Sequence, residues 1–336
     1  MKIRLQQALT HYYQRSYFSR ALGAYVNFKS PQLPPPPSQE VLVHGLHSVQ
    51  AVLNTSSRRI LRGYILISDG HDDEPLQRIE SELRARNIQI VRSERNTLAR
   101  MSRGATHQGV VLEVSAAETR ELLPGTLPSF FTRTTIAEND KSSHPLVLLL
   151  DEVVDPHNLG AIMRSAFLLG ANAIVLSKHS SAPLGATASK ASSGAMEVWL
   201  ASKRLFHTRN TTTLVQSFGD SGWRTIGAVA APSTKGTLGR GVSPVNSTIG
   251  AVAAPSTTGT IGRESSLVPA SSLRRDMPTL LVLGNEGEGM RPIIRKACHT
   301  LCFLEQEPAD GLQSWPNLVD SLNVSAAAAL LLNVLK

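Results

Sequence analysis

Five consecutive aliphatic residues, Leu146-Val147-Leu148-Leu149-Leu150, constrain this chain more than any other segment. A strand with one solvated face alternates apolar and polar residues, whereas a run apolar at every position belongs to a strand covered on both faces. Such strands occur in parallel sheets, because crossover connections lay helices on either side. The next residues supply that crossover: the pattern predicts a helix over Leu159 to Leu169 and a strand at Ala173 to Leu176, a βαβ unit. Further strands are expected near 196–200, 224–229, 279–283 and 300–304, with helices between them and a last helix from Leu322 to Leu335. Residues 145–336 are therefore expected to form an α/β domain on a sheet of five or six strands.

A chain of 336 residues has room for a second core. Short apolar runs predict strands at 41–43, 61–67, 88–91 and 109–114 and helices at 46–53, 74–86 and 94–101, giving a small α/β domain over 39–117. Residues 118–144, rich in Thr, Pro, Ser and Glu, read as a linker.

The net charge of +8 is concentrated at the N-terminus. Residues 1–39 hold Lys2, Arg4, Arg15, Arg20 and Lys29 and no acid; setting those five aside leaves 29 basic residues against 26 acidic ones. The body is only mildly basic, so a nucleic-acid surface has to be a local patch. A basic, acid-free, amphipathic leader is the composition of a mitochondrial transit peptide, and Pro31 to Pro37 then forms an extended spacer, so 1–38 is expected to lie outside the fold. The other reading of the leader is a basic arm that stays attached and touches RNA.

No apolar run approaches the about 20 residues that span a bilayer. The two cysteines, Cys298 and Cys302, fall short of a four-ligand zinc site even with His299 between them, and no other metal-ligand spacing is visible. Two reduced thiols fit a reducing compartment.

Three segments carry the chemistry. Asp155-Pro156-His157-Asn158-Leu159-Gly160 leaves a strand and opens a helix, placing Asn158 where a side chain caps free backbone donors and Arg164 six residues on. Helix side chains lean toward the N-terminus, so the Arg164 guanidinium is expected to reach back over the carboxyl end of the sheet, the ligand crevice of open α/β folds. Leu283-Gly284-Asn285-Glu286-Gly287-Glu288-Gly289 follows the strand at 279–283 with glycines that let a ligand approach the backbone, but its G-x-x-G-x-G order is not a dinucleotide fingerprint. Glu286 is placed to accept from a ribose or to hold Arg164. Ser321-Leu322-Asn323 then starts a helix of small residues, Ser325 to Ala329.

In this order and spacing the three segments resemble the motifs of the SpoU family, knotted RNA ribose 2′-O-methyltransferases that use S-adenosylmethionine. Leu42-Val43-His44-Gly45-Leu46-His47-Ser48-Val49 and Gly104-Ala105-Thr106-His107-Gln108-Gly109 resemble the ends of the family's substrate-binding domain, which is similar to ribosomal protein L30e and grips RNA. Arg58, Arg59, Arg62 and Arg103 are its candidate phosphate contacts. The resemblance implies a SPOUT-type trefoil knot on a parallel sheet and a homodimer with sites at the subunit interface. It also implies functional positions at Asn158, Arg164, Glu286, Ser321 and Asn323. The cofactor would lie against Leu283, Gly284, Asn285, Glu286, Gly287, Phe303, Leu304, Ser321, Leu322 and Asn323. The expected function is 2′-O-methylation of a guanosine in large-subunit ribosomal RNA in the mitochondrial matrix; the alternatives are transfer RNA as substrate, or a non-catalytic RNA-binding assembly factor on the same fold. Where the family commonly has a short Ile-Pro-Met-like segment, this chain has Phe303-Leu304-Glu305 and a long stretch through Pro316.

One feature belongs to this chain alone. Residues 225–240 recur at 248–263 with changes only at Lys235/Thr258 and Leu238/Ile261. One tandem repeat is too few units for a solenoid. Trp223 extends the apolar face of the first copy, so the first is expected to be the sheet strand and the second to be extruded as loop.

Overall fold

The computed structural model describes residues 40–67, 73–126, 144–231, 265–305 and 321–336. The expected leader and the second repeat copy lie outside those residues, as does 306–320.

The smaller domain comprises β1 (Glu40–His44), α1 (Leu46–Thr55), β2 (Ile60–Leu66), α2 (Glu74–Ala85), β3 (Ile90–Ser93), α3 (Arg95–Met101) and β4 (Val110–Ser115). Its sheet order is β1-β4-β2-β3, with β4 antiparallel to both neighbours and β2 parallel to β3. Val43, Ile65, Leu112 and Val114 close on Val49, Val52 and Leu53 of α1 and on Ile79 and Leu83 of α2, a core of its own.

The larger domain runs β5 (Arg120–Glu121), β6 (Leu146–Leu150), α4 (Pro156–Leu168), β7 (Ala173–Ser177), α5 (Ala186–Ala191), α6 (Ala195–Ala201), β8 (Leu205–Thr208), α7 (Thr211–Asp220) and β9 (Arg224–Ala228). It continues through β10 (Ser266–Pro269), β11 (Thr279–Leu283), α8 (Pro292–Ala297), β12 (Thr300–Phe303) and α9 (Val324–Val334). Every pair in the sheet, ordered β10-β12-β9-β11-β6-β7-β8-β5, is parallel. The pleat explains the aliphatic run. Leu146, Leu148 and Leu150 pack with Ile162 and Met163 of α4 and Leu331 and Leu332 of α9. Val147 and Leu149 face the other way, onto Leu214, Val215 and Phe218 of α7 and Ile294 of α8.

Three expectations fail here. Residues 196–200 are helix α6, not strand: Met196 and Trp199 are buried three apart, and the Trp199 indole donates to the Met163 carbonyl at 2.9 Å. The strand of that unit is β8, four residues long, and the linker reading of 118–144 gives way at β5, which pairs with β8 while Leu122 is buried. Strands of two to four residues offer too little pattern to read, which is why the described residues form a sheet of eight strands rather than five or six.

The two domains are joined by a dry contact. Arg58 Nε meets Glu197 Oε2 at 3.0 Å with both side chains fully buried, Ser57 and Ser189 donate to the same carboxylate, and Ser48 Oγ donates to the Ser189 carbonyl. Arg58 is therefore a docking residue and not the phosphate contact that its sequence context suggested. Arg62 is engaged by Tyr64 and Glu113, while Arg59 and Arg103 stay exposed.

The first repeat copy supplies β9, between β11 and β12, and Trp223 packs edge-on against Phe218 at 4.9 Å.

Candidate functional site

From β6 the chain steps outward through β7 and β8 on one side, while β11 flanks β6 on the other. The carboxyl ends of β6 and β11 are thus the point where the winding reverses, and their exit loops bound the crevice where open α/β sheets hold ligands. Asp155 caps α4, accepting from the His157 amide at 2.9 Å, and Pro156 takes the first turn. Asn158 is not the cap; it lies one turn in, with its side chain free for other work.

That work is a relay across all three segments. Asn158 Nδ2 donates to Glu286 Oε1 at 3.1 Å, Asn323 Nδ2 donates to Asn158 Oδ1 at 3.0 Å, and Asn323 Oδ1 caps α9 by accepting from the Ser325 amide at 2.9 Å. The orientations fix one another. A carboxylate only accepts, so Asn158 presents its amide nitrogen to Glu286, its oxygen must then face a donor, and the Asn323 oxygen is left for the helix end. Glu286 Oε2 ends the relay, buried and without a hydrogen-bond partner among the described residues.

The glycine loop is held by its own backbone. Asn285 and Gly289 exchange two hydrogen bonds of 3.1 Å, and Asn285 Oδ1 accepts from the amides of Gly287 and Glu288. A Cβ on Gly284 would lie 2.5 Å from the Met290 nitrogen, so this glycine serves the closure of the turn rather than a ligand. Two contacts tie the loop to the exit of β6: Asn285 Nδ2 donates to the Glu152 carbonyl at 3.0 Å, and Arg291 grips Asp151 with two bonds of 2.6 and 3.0 Å. Asp151 and Arg291 lie outside the expected set; an acid at the end of a buried strand was their only trace in the sequence.

Arg164 does not join the relay. Six residues at about 100° each carry it about 240° around α4 from Asn158. It is exposed, and its Nη1 donates to Ser193 Oγ at 3.1 Å. Glu286 therefore holds Asn158 and not Arg164.

Beside the relay lies a cavity of about 270 Å³. Of the expected cofactor residues, Leu283, Gly284, Asn285, Glu286, Gly287, Leu304, Ser321 and Leu322 line it, while Phe303 and Asn323 do not. Sequence reading missed the wall formed by Ala228 to Ala231, the end of β9, and the apolar contributions of Met290, Val324 and Leu331. Cys302 also lines it, with its thiol pushed up to about 12 by burial. Among the described residues no cluster of His, Cys, Asp and Glu is arranged to hold a metal, and no helix is long and apolar enough to cross a membrane.

Solved structures share this architecture. An AdoMet-bound rRNA methyltransferase from Sinorhizobium meliloti aligns over 88% of this chain and 86% of its own with a TM-score of 0.56 and 16% identity. The SpoU methyltransferase AviRb from Streptomyces viridochromogenes, in complex with AdoMet, aligns over 88% of both chains at 0.53 and 16% identity. The protein thus has the SpoU-type α/β methyltransferase fold. Residues 145–333 match the SpoU rRNA Methylase family and residues 42–120 match the RNA 2′-O ribose methyltransferase substrate-binding domain, and the chain belongs to this family. Human "rRNA methyltransferase 1, mitochondrial" is 31% identical over 311 residues, covering 89% of this chain and 73% of that protein. The 23S rRNA (guanosine-2′-O-)-methyltransferase RlmB of Vibrio parahaemolyticus is 30% identical over 296 residues, covering 86% and 94%.

Proposed function

We propose that this chain transfers the methyl group of S-adenosylmethionine to the ribose 2′-hydroxyl of a guanosine in mitochondrial large-subunit ribosomal RNA, acting as a homodimer in the matrix. The observation that carries the reading is the Asn323–Asn158–Glu286 relay, which brings three distant segments together at the sheet's reversal point beside a cavity. The relatives named for rRNA and guanosine methylation, one of them mitochondrial, supply the substrate class and compartment. The acid-free leader supplies the route.

The cavity suits the cofactor. At about 270 Å³ it lies near the small end of ligand sites, about 300–1,000 Å³. Its walls are apolar where Leu304, Val324 and Leu331 stand and polar along the loop backbone, and the unpartnered Glu286 Oε2 offers an acceptor for a ribose hydroxyl. Bound there, the cofactor supplies an electrophilic methyl group on a sulfonium. The protein's task is to align the attacking oxygen and to lower the free energy of its alkoxide. Arg164 acts as phosphate clamp and alkoxide stabiliser; a guanidinium holds its proton up to a pKa above about 12, which disqualifies it as a ready base. Exposed apolar residues on α4 and α9, Phe167, Leu168, Leu330 and Val334, support a dimer face along these two helices.

The test is to incubate the full chain with methyl-labelled cofactor and mitochondrial large-subunit rRNA and to map ribose methylation by mass spectrometry. One modified guanosine, lost in Arg164→Ala with cofactor affinity retained, is the expected result. Label confined to transfer RNA, absence of label, or normal turnover by the variant overturns it.

A further inference from the structure

At the junction of the two domains a lysine is half-buried without an acid. Lys190, at the end of α5, places Nζ 3.0 Å from Gln108 Oε1 of the smaller domain, and the same oxygen accepts from the Leu46 amide at 3.2 Å. The backbone makes room for the ammonium. Gly45, at φ 87°, carries no side chain toward Nζ, and Gln108 adopts the left-handed φ of 52° that non-glycine residues seldom take.

The charges that act on this place are cationic, against one backbone hydrogen bond from His44 to Thr106 that favours its protonated form. Burial, then Lys190 and His107, hold His44 below its ordinary pKa; burial, then Arg95 and Lys190, do the same to His107. Lys190 itself is lowered by burial and pairs with no carboxylate among the described residues. α1 starts at the same point, and Gly45 provides no side-chain cap, so its free amide dipoles add to the positive potential. His44, 3% exposed, keeps a buried Nδ1 without a partner. An ammonium partly withdrawn from water and facing one neutral amide gains more from an anion than a fully solvated one does. Three residues beyond Lys190, Ser193 accepts from the Arg164 guanidinium, so a second cation stands beside the same segment.

We infer that Lys190 is a phosphate-binding residue that holds one backbone phosphate of the RNA at the domain junction, with the strand continuing from there to Arg164. The inference rests on the RNA substrate proposed above and adds where that RNA enters. It assigns a contact to the catalytic domain's own α5, and it gives the small domain a second role, since Gln108 and Gly45 position the ammonium.

The experiment measures the affinity of the full chain for a mixed-sequence RNA hairpin by fluorescence anisotropy across a salt series, for wild type, Lys190→Ala and Lys190→Arg. Loss of one phosphate contact should flatten the slope of log affinity against log salt by about 0.7–0.9 and weaken binding about five- to tenfold near 0.1 M salt. Lys190→Arg, which keeps the charge, should keep the slope, and the melting temperature and cofactor affinity should stay at wild-type values in both. An unchanged slope with a lowered melting temperature makes Lys190 a docking cation only and overturns the inference. Should Lys190→Ala not fold, Lys190→Gln retains a polar head for the Gln108 contact and is read the same way. Methyl transfer to rRNA by the wild type is followed in parallel: an inactive wild type removes the functional reading, whereas an active wild type with an unaltered Lys190→Ala slope removes only the phosphate site.

Discussion

Two arginine–carboxylate pairs span almost the same distance in sequence, Arg58 with Glu197 and Arg291 with Asp151, and both acids are buried, with side-chain exposures of 0% and 1%. Their arginines differ: Arg58 is fully buried and the Arg291 side chain is 41% exposed. Glu197 spends its second oxygen on Ser189, so the first pair forms a sealed contact between domains. Arg291 also reaches Thr211 and Glu152 and stands at the mouth of the crevice, where it fixes the spacing of two exit loops. A similar pair therefore sets domain orientation in one place and site geometry in the other. Burial of the cation decides which.

The largest effect should come from Arg58→Ala, which strands a buried carboxylate and should lower unfolding free energy by about 3–5 kcal/mol in a denaturant titration. Arg58→Met with Glu197→Leu should recover most of that loss; a single-variant effect below about 1 kcal/mol would erase the contrast between the pairs. Arg291→Ala should act the other way round. Water reaches Asp151 once the half-exposed guanidinium leaves, so stability should fall by about 1–2 kcal/mol, while turnover drops by about ten- to a hundredfold because the loops carrying Asn158 and Glu286 lose their spacing. Arg291→Lys should restore stability better than turnover, since a point charge cannot reproduce the two-pronged grip. Asn323→Ala removes a helix cap worth about 1 kcal/mol and one link of the relay, so calorimetry should register weaker cofactor binding alongside a small drop in melting temperature. The smallest effect concerns pH. Burial first, and then neighbouring cations, hold His44 and His107 at the junction below the ordinary imidazole value of about 6.5, so the unfolded chain takes up protons first as pH falls. Their contribution is fully present above pH 6.5 and is lost progressively below it, and His44→Gln should make the melting temperature less sensitive to pH across that window.

The aliphatic strand was legible because all five positions are apolar, and the βαβ unit and the small domain because their apolar runs have the length and spacing of strands and helices. β5, β8 and β10 were not, since two to four residues are too few to carry a period. In the candidate site the segments were legible and the partnerships only in part. Asn158, Glu286 and Asn323 do meet, but nothing local signals that Asn158 would link the other two or that Arg164 would turn away. Arg58 misled for a related reason: a cation reads as a surface group until its acid, 139 positions away in sequence, is found beneath it.

Trp223 has a consequence of another kind. The chain contains the word Thr-Ile-Gly-Ala-Val-Ala-Ala twice, and the slot between β11 and β12 admits one. Choosing Thr248 instead of Thr225 would move 23 residues from one connection to the other, which alters loop closure by less than about 1 kcal/mol and so chooses nothing. The indole two residues before the first copy is 5% exposed against Phe218, whereas Asn246 stands at the equivalent place before the second. Burying such a side chain is worth about 1.5–3 kcal/mol, a preference of about ten- to a hundredfold. One aromatic ring thus acts as the reading frame of the sheet, and erasing it would divide a single native state into two isomers, chemically identical and differently threaded.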